Sequence, residues 1–564
     1  MLMKRILRIV LMCCVLISCI EAQIRRQGEI NVGLFDELRE LYPDTRLDKP
    51  DKILSVEAAR GTIAGVHLLI TGVSRKTTVG FQVTAGNGTP LHDARWYRMI
   101  DVFVSENTGL DRCTEKFSGT INPFVIRRAP FRIYEALDRI VSPLDVDSGT
   151  TAMRLEVPVD SSLKPGKYSY KIRVDIGGES EMLDFNVLVH RASVPPVSRS
   201  TISYINWINL DNVCKDHAVE KWSEPFWKMM RKYAALMAKG RQNTFWFLWQ
   251  DYFTFDTAGT IIEFRRDRLE RYIRTFLDAG FRTIHGAPIT RRRDWSSNDM
   301  LLTVDLPDGK EVPAISEQGK RMITEMAGRI ITMMKENQWD TRWLQGIFDE
   351  PTDEFVDRYK EIVALMRRAK PDLAILEATM TVKLSGSINV WCPQVQEYQA
   401  QREFFDGRRA SGDKVWVYTC LAPGGPWLNR LCDQERLRQV YIGWACAKFD
   451  LQGFLHWGLN FHGDKPFEEL VRFHAAPNTF LPAGDSHILY PGKDGPLSSQ
   501  RFEAHRIGME DYELLAQLKA RDTAKASLII DRIFQAFDRY SKNIDEYRSA
   551  KALLLESVDA LSDE

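Results

Sequence analysis

Two adjacent carboxylates, Asp349 and Glu350, are the residues of this 564-residue chain best suited to acid–base chemistry. They follow the apolar run Leu344-Gln-Gly-Ile-Phe348, which predicts a buried strand, and Pro351 then ends ladder pairing. The next residues, Thr352-Asp-Glu354, are typical of a helix start. We therefore expect both carboxylates to be fixed at a strand tip. The alternative, in which Asp349 caps the following helix and Glu350 is surface charge, stays open at this point.

The adjacency of the pair restricts its chemistry. Glycosidases that act with two carboxyls across the scissile bond hold them about 5–5.5 Å apart when retaining and roughly 6.5–9.5 Å apart when inverting. Neighbouring residues on one strand tip suit the substrate-assisted variant instead, in which the 2-acetamido oxygen of the sugar attacks the anomeric carbon. Glu350 would protonate the leaving oxygen and later activate water, while Asp349 would hold the acetamido N–H. A conventional nucleophile would need another carboxylate, for which Glu377 is the evident candidate.

Aromatic and polar residues follow the other predicted strands as well. Aromatic faces stack on the apolar faces of sugar rings, and polar groups bind the hydroxyls, so this composition predicts a sugar pocket. His285 fits a structural histidine equally well. The candidates at the strand ends are Asn206, Trp207, Trp249, Gln250, His285, Glu377, Trp391, Tyr418, His456, Trp457 and Asn460.

Short apolar strands alternate with helical stretches from Thr201 onward, and eight such strands are typical of a (β/α)8 barrel. In that fold every strand end lies on one face, where active sites form. A doubly wound sheet also alternates, but no glycine-rich phosphate motif accompanies it. The predicted strands are 202–207, 244–249, 283–287, 344–348, 374–376, 389–391, 415–418 and 453–457. The predicted helices are 224–239, 267–279, 317–337, 354–369 and 434–448.

Residues 28–190 show short alternating runs typical of an antiparallel β-sandwich. Tyr168–Val174 and Met182–Val189 flank Gly177-Gly178, which predicts a hairpin. We therefore expect a multidomain α/β protein with a β-sandwich over residues 23–195 and a TIM-like barrel over 196–520. Helical spacing beyond Lys519 predicts C-terminal helices over 521–564.

The first 22 residues resemble a signal peptide. Lys4, Arg5 and Arg8 precede the apolar run 9–17, and Leu16-Ile-Ser-Cys19 resembles a bacterial lipobox in which Cys19 carries the lipid. Ordinary cleavage after Ala22 and a retained anchor are the alternatives. We expect an exported protein of the bacterial cell envelope, lipid-anchored in the periplasm or at the cell surface, or otherwise secreted. Any contact with a membrane is then expected through that anchor.

Composition argues against several other classes. The 76 basic residues balance 76 acidic residues, so the chain lacks the excess positive charge that is typical of nucleic-acid binding. No cofactor or metal is expected, since His456 and His462 need not face the same way and no further ligand beside Asp464 is obvious. Arg291-Arg-Arg293 is read as a solvated loop, with contact to an acidic glycan as the alternative. The six cysteines of the body form no CxxC and are expected as buried free thiols, with one bridge left open.

Three stretches resemble glycoside hydrolase family 123. Ile347-Phe-Asp-Glu-Pro351 resembles its acidic motif, and Gly453-Phe-Leu-His-Trp-Gly-Leu-Asn460 is similar to its last barrel strand. Gly484 to Arg501, leading into Glu503 to Tyr512, is similar to the long signature of its catalytic region. The resemblance covers roughly residues 200–520.

This resemblance implies a retaining, substrate-assisted β-N-acetylgalactosaminidase that acts on glycans or glycolipids. It implies Asp349 as the residue that orients the acetamido group and Glu350 as the general acid/base. Tyr418 would donate a hydrogen bond to the acetamido group, and Trp457 and Asn460 would belong to the sugar pocket. A surface glycan-binding lipoprotein without turnover and a β-glycosidase of another sugar specificity remain alternatives. The sequence leaves galacto versus gluco specificity and the oligomeric state open.

Overall fold

The computed structural model describes residues 30–475 and 478–561. The predicted signal peptide and Cys19 therefore lie outside the described residues. The chain divides into two compact units, of which the first holds residues up to 101 and 132–191. The second holds residues 102–131 and those from 192 onward, although the sequence boundary places 102–131 in the sandwich. The reason is visible at Thr108, whose N–H and hydroxyl each donate to the Asp433 carboxylate at 2.7 Å.

The first unit consists of two antiparallel sheets. One sheet carries the order β1-β3-β8-β5-β6 and the other the order β2-β10-β9-β4-β7. The strands are β1 (Asn31–Asp36), β2 (Ile53–Arg60), β3 (Thr62–Val73), β4 (Thr77–Ala85), β5 (Arg95–Val104), β6 (Phe131–Ile140), β7 (Leu144–Val146), β8 (Gly149–Val159), β9 (Gly166–Ile176) and β10 (Glu179–Ser193).

Alternate residues of both sheets meet in one apolar core. Ile172 and Phe185, for example, are fully buried in this cluster together with Leu68 of β3. The predicted hairpin is confirmed, since β9 and β10 pair with Arg173 opposite Met182. Gly177 and Gly178 adopt φ values of 64° and 89°. A two-residue hairpin turn of type I′ requires positive φ at both positions, and glycine accepts this without steric cost.

The second unit contains a nearly closed parallel barrel. Its strands follow the order β11-β22-β21-β20-β19-β18-β15-β12, and each contains or overlaps a strand predicted from the sequence. The strands of this unit are β11 (Ser203–Asn206), β12 (Thr244–Phe247), β13 (Phe253–Phe255), β14 (Ile261–Phe264), β15 (Thr283–Gly286), β16 (Thr290–Arg291), β17 (Leu301–Leu302), β18 (Trp343–Gln345), β19 (Ala374–Ala378), β20 (Val390–Cys392), β21 (Lys414–Thr419), β22 (Gly453–His456), β23 (Arg472–His474), β24 (Thr479–Leu481), β25 (Tyr490–Gly492), β26 (Gly495–Ser499), β27 (Phe534–Ala536) and β28 (Arg539–Tyr540).

Some helices of this unit are amphipathic and begin with a side-chain cap. In the helix Glu224–Lys239, Ser223 accepts from Phe226 N–H, and apolar residues such as Met230 and Met237 are buried. The helices are α1 (Glu115–Ser118), α2 (Leu210–Asp216), α3 (Glu224–Lys239), α4 (Arg266–Asp278), α5 (Glu317–Glu336), α6 (Val356–Ala369), α7 (Val395–Ala400), α8 (Arg402–Ala410), α9 (Leu437–Phe449), α10 (Gln500–Lys519), α11 (Thr523–Asp531) and α12 (Ile544–Ala560).

The C-terminal segment is not purely helical, because the short hairpin β27–β28 separates α11 from α12. Asp511 of α10 accepts from Tyr547 Oη at 2.7 Å and pairs with Lys551 Nζ at 2.9 Å, which fixes α12 to α10. No helix within residues 30–475 and 478–561 is long and apolar enough to cross a bilayer. In the same part of the chain Cys113, Cys214, Cys392, Cys420 and Cys446 form no disulfide, and Cys214 and Cys420 are partly exposed.

The strand register decides which side chains face the barrel interior. Tyr204 aligns with Phe454 and Asn206 with His456. Tyr204 and Phe454 both contact the His505 ring of α10, at 5.8 and 5.5 Å between ring centroids, so this face of the two strands points toward the surrounding helices. Side chains alternate along a strand, so Asn206 and His456 point outward like Tyr204 and Phe454. The residues next to Asn206 and His456 along each strand point inward.

Candidate active site

The Asp349–Glu350 pair follows a strand that is shorter than predicted. β18 ends at Gln345, because the N–H groups of Ile347 and Phe348 donate to Glu377 Oε2, at 2.9 and 3.1 Å, instead of continuing the ladder. The two carboxylates therefore stand on a turn that begins at the strand tip.

Glu350 adopts a left-handed backbone conformation with φ of +50°, which is uncommon outside glycine. One backbone–backbone hydrogen bond and two from a side chain to backbone carbonyls hold this turn. Glu350 N–H donates to Ala378 O at 3.0 Å, and Arg292 Nη2 donates to Asp349 O at 3.0 Å and to Glu350 O at 2.8 Å. A strained non-glycine residue persists only where its surroundings fix it, and such residues cluster at active sites.

The helix-cap alternative for Asp349 is wrong in this structure. The short 3-10 turn Asp353–Phe355 that leads into α6 has Thr352 at its N-cap, and no side chain caps it. Glu350 is not a free surface charge either, because Tyr418 Oη donates a hydrogen bond to its Oε1.

Tyr418 reaches Glu350 from β21, which two strands separate from β18 in the sheet. It lies on β21, aligned with the inward-facing Leu455 of β22, and is only 3% exposed. Its hydroxyl also lies 3.5 Å from Met380 Sδ. The structure thus brings the two predicted catalytic carboxylates and the predicted hydroxyl donor into one cluster.

The electrostatics of this cluster favour retention of a proton. Burial raises the pKa of Asp349, the neighbouring charge of Glu350 raises it further, and the Arg292 guanidinium opposes both effects. Burial also raises the pKa of Glu350, opposed by the hydrogen bond from Tyr418 and the charge of Arg292. Two carboxyls this close titrate as a pair. A general acid must hold a proton near neutral pH, and a pair with raised pKa values can keep one.

A pocket of about 290 Å³ opens beside Asp349. Its wall contains Trp207 and Trp246, whose rings stack with centroids 4.5 Å apart and an interplanar angle of 7°. Gln250 and Thr290 add polar groups to the lining. Apolar faces combined with a few polar groups match the composition of a sugar-binding pocket.

Trp457 also lies at a strand end, directly after β22. It is partly exposed, contacts Phe461 at 5.2 Å between centroids, and donates from Nε1 to Asp485 Oδ1 at 2.9 Å. Burial raises the pKa of Asp485 to about 7. The hydrogen bond from the indole N–H to Asp485 fixes the plane of the Trp457 ring.

Two of the predicted binding residues point away from the barrel interior. Asn206 is fully buried on the outer face and accepts from Arg430 Nη1 at 2.6 Å. Trp391 contacts Phe404 of α8 and donates from Nε1 to Asp413 at 2.9 Å. Both side chains thus lie away from the barrel interior, unlike the predicted position at its mouth.

Two others, Trp249 and Asn460, serve local structure. Trp249 is fully buried and donates to Ala287 O, while its neighbour Gln250 lines the pocket. The Asn460 amide is occupied by the backbone of Asn209, at 2.8 and 3.0 Å.

His285 faces the interior but lies deep in the barrel. It aligns with Trp246, is 2% exposed, and burial lowers its pKa to about 3. Neither ring nitrogen of His285 has a hydrogen-bond partner among the residues that the structure describes. A neutral, buried imidazole fits the structural interpretation of this residue.

Glu377 is not placed as a conventional nucleophile. It is buried on the outer face of β19, where its Oε2 accepts from Ile347 N, Phe348 N and Tyr359 Oη. Burial raises its pKa to about 8. Glu377 thus holds the strand tip that carries Asp349 and Glu350.

The two histidines considered for a metal site, His456 and His462, do not form one with Asp464. His456 faces outward, and His462 Nε2 lies 3.0 Å from Asp216 Oδ2. No three histidine, cysteine or carboxylate side chains in the described ranges could together hold a metal ion.

Sequence reasoning missed Arg292, Trp246 and Asp485. Arg292 stands in the run that was read as a solvated loop, and its only signal was its position just after the third strand. Trp246 lies inside a predicted strand, where the period-two alternation places it on the same face as Thr244. Asp485 belongs to the third family-like stretch.

Comparisons with known proteins identify a matching family and similar folds. A family described as "Glycoside hydrolase 123, catalytic domain" matches residues 207–518. A family 123 glycoside hydrolase from Clostridium perfringens, studied for glycolipid glycan hydrolysis, shares the fold with a TM-score of 0.72. It is 14% identical, and the alignment covers 94% of this chain and 98% of that one.

More distant structures include β-glucuronidase 3 from Bacteroides uniformis, at 10% identity and a TM-score of 0.30, covering 80% of this chain and 51% of that one. A GH5_18 protein from Streptomyces cattleya in complex with GlcNAc gives 10% identity and a TM-score of 0.38, covering 56% and 80%. The curated proteins contain no match. The family match spans more than half of the chain, and the chain therefore belongs to glycoside hydrolase family 123.

Proposed function

We propose that this glycoside hydrolase removes terminal β-linked N-acetylgalactosamine from glycans or glycolipids by a retaining, substrate-assisted mechanism. The observation that carries the proposal is the Asp349–Glu350 turn with Tyr418 bonded to Glu350. The buried position of Glu377 on the outer face of the barrel supports it, because Glu377 is then not placed to act as a conventional nucleophile.

In the first step, Glu350 donates its proton to the glycosidic oxygen as the bond from that oxygen to the anomeric carbon breaks. The acetamido carbonyl oxygen forms the new bond to the anomeric carbon, and Asp349 accepts the acetamido N–H and offsets the positive charge. In the second step, Glu350 takes a proton from water as the water oxygen attacks the anomeric carbon and the acetamido oxygen leaves. Two inversions give net retention.

The substrate class rests on the family. The Clostridium perfringens relative is described in connection with glycolipid glycan hydrolysis, and the three family-like stretches carry the N-acetylgalactosamine assignment. Trp457 and the Trp207–Trp246 stack supply apolar faces suited to a sugar ring. A reaction that runs through the acetamido group requires a 2-acetamido sugar whatever the configuration at C4.

The test offers the purified full chain aryl β-N-acetylgalactosaminide, aryl β-N-acetylglucosaminide and plain aryl β-galactoside side by side. We expect release from the acetamido sugars alone, fastest from the galacto compound. Glu350→Gln should lose most activity on substrates with poor leaving groups, because these depend on protonation. Glu354→Gln, an exposed carboxylate in the same segment, is the matched control and should retain activity.

Equal losses in Glu350→Gln for good and poor leaving groups would refute the acid assignment. Saturable glycan binding without release from any of the three substrates would replace the enzyme with a surface binding platform. Release from the plain galactoside would indicate a β-glycosidase of another mechanism and specificity.

We also propose that the protein is exported and lipid-anchored through Cys19 in the bacterial cell envelope. The support is the lipobox-like Leu16-Ile-Ser-Cys19 after a basic, apolar leader. Labelling of cells with a radioactive fatty acid should mark the wild-type protein and leave Cys19→Ser unmarked. Equal labelling of both, or of neither, would refute the anchor.

A further inference from the structure

We propose that Arg292 is a positioning residue that holds the Asp349–Glu350 turn in its reactive geometry and supplies the cation beside both carboxylates. The inference deepens the proposed function and rests on it.

The contacts of Arg292 are directed at this turn. Its Nη2 donates to both Asp349 O and Glu350 O. Its guanidinium carbon lies 4.3 Å from the ring centroid of Trp295, 4.9 Å from that of Phe348 and 5.2 Å from that of Phe355. A planar guanidinium can stack between rings and bridge two carbonyls at once, which a lysine ammonium cannot reproduce.

Arg292 differs from its two neighbours in the run. Arg291 Nη2 pairs with Asp305 and Glu311, at 3.0 and 3.1 Å, and Arg293 also pairs with Glu311, at 2.9 Å. The ion pairs of those two arginines stabilise the loop that contains β16 and β17. The hydrogen bonds given for Arg292 go instead to the carbonyls that flank the reacting side chains.

The backbone conformation makes this contact consequential. Glu350 has φ of +50°, and the Asp349 and Glu350 carbonyls converge on one nitrogen of Arg292. A left-handed conformation is strained for a residue other than glycine, so it relaxes when its restraints are lost. Relaxation would carry the Glu350 carboxyl away from Tyr418 and from the glycosidic oxygen.

The charge of Arg292 acts on the same pair. Its charge lowers the pKa values of Asp349 and Glu350 against the effect of burial. Without this cation, both carboxyls would hold their protons to higher pH. Asp349 must be ionised and Glu350 protonated, so both limbs of the rate profile would move upward. The other groups that act on the pair are the Tyr418 hydroxyl, the Gln394 amide, the Cys420 thiol and the carboxyls of Glu377 and Asp485.

The experiment compares Arg292→Gln and Arg292→Lys with Arg358→Gln. Arg358 also stacks on Phe355 and donates to two backbone carbonyls, those of Asn298 and Glu354, but it has no contact with the acidic turn in the structure. The readouts are kcat and KM on the best acetamido substrate across pH, and a crystal structure of each variant.

For Arg292→Gln we expect kcat/KM to fall on the order of 100-fold, since small misplacements of catalytic groups cost that much. Both limbs should move to higher pH by about one unit, the scale of one lost neighbouring charge. Arg292→Lys should keep the pH limbs of the wild type but not its kcat, because the charge remains and the bridge is lost. Arg358→Gln should match the wild type.

Unmoved limbs together with kcat/KM within about threefold of the Arg358→Gln control would overturn the proposal. So would a crystal structure of Arg292→Gln with Glu350 still at positive φ and bonded to Tyr418. This structural readout does not need turnover, so it remains decisive if Glu350→Gln keeps full activity and the proposed function fails. If Arg292→Gln does not fold, the Arg292→Lys structure and profile decide alone.

Discussion

The Tyr418 hydroxyl donates its hydrogen bond to Oε1 of Glu350, across the barrel mouth from one strand end to another. The family resemblance assigns this hydroxyl to the acetamido group of the substrate. Both roles use the same O–H, so an entering acetamido oxygen would compete with Glu350 for it. Release of that bond would raise the pKa of Glu350, because the hydrogen bond from Tyr418 lowers it. The proton required by the leaving oxygen would then be held more firmly once substrate is bound.

Tyr418→Phe tests this relationship. We expect kcat/KM to fall on the order of 100-fold, the usual cost of one donor at a developing oxyanion or its equivalent. The basic limb of the free-enzyme profile should move to higher pH, because Glu350 loses the bond that stabilises its ionised form. Tyr398→Phe is the matched control, since its hydroxyl bonds Asp406 away from the site. An unmoved basic limb would contradict the role given to the Tyr418–Glu350 bond.

Asp349→Asn should be more stable than the wild type at alkaline pH. The folded protein raises the pKa of Asp349, mainly through burial, so stability is lost as pH rises through the folded pKa. The difference, on the order of 1–2 kcal/mol, should vanish below about pH 4, where the carboxyl is protonated in both states. Urea unfolding of both proteins at pH 4 and pH 8 measures it.

Asp353→Asn is the control of opposite sign. Hydrogen bonds from Lys383 and Thr381 lower the pKa of this exposed carboxyl, so its contribution is present at neutral pH and lost in acid. Its substitution should not stabilise the protein at pH 8. Equal responses of Asp349→Asn and Asp353→Asn would show that burial does not control the Asp349 titration.

Glu377→Gln should keep activity within about tenfold of the wild type, because an amide oxygen can still accept from the strand tip. Glu377→Ala should lose roughly 1–3 kcal/mol of stability, since it strands two buried N–H groups and the Tyr359 hydroxyl. Thermal unfolding and steady-state kinetics separate the two effects. A loss of about a thousandfold or more in Glu377→Gln with unchanged stability would revive the conventional nucleophile.

Trp457→Phe should raise KM several-fold, and Asp485→Asn should have a similar, smaller effect because it loosens the indole. Trp391→Phe is the matched control, as its ring faces the surrounding helices and should affect stability alone. Measurement of KM and of the melting temperature for all three variants checks this assignment. A raised KM in Trp391→Phe with an unchanged KM in Trp457→Phe would contradict the assignment of Trp457 to the inner face and of Trp391 to the outer face.

The local sequence determined the eight barrel strands, five of the larger helices and the acidic pair. Short apolar runs separated by amphipathic stretches of about 13 to 20 residues leave few arrangements other than parallel strands with crossover helices. The run Ile347-Phe-Asp-Glu-Pro351 specified by itself that two carboxylates follow a strand. The glycine pair at 177–178 likewise specified its hairpin.

Only the tertiary structure decided which strand-end residues belong to the site. Side chains alternate between two faces, and a register difference of one residue exchanges them, so Trp457 faces the interior while Trp391 does not. Arg292 and Asp485 act from outside the strands, through contacts with residues 57 and 28 positions away, respectively. Sequence periodicity describes neighbours along one strand, whereas these contacts depend on how distant segments meet when the barrel closes.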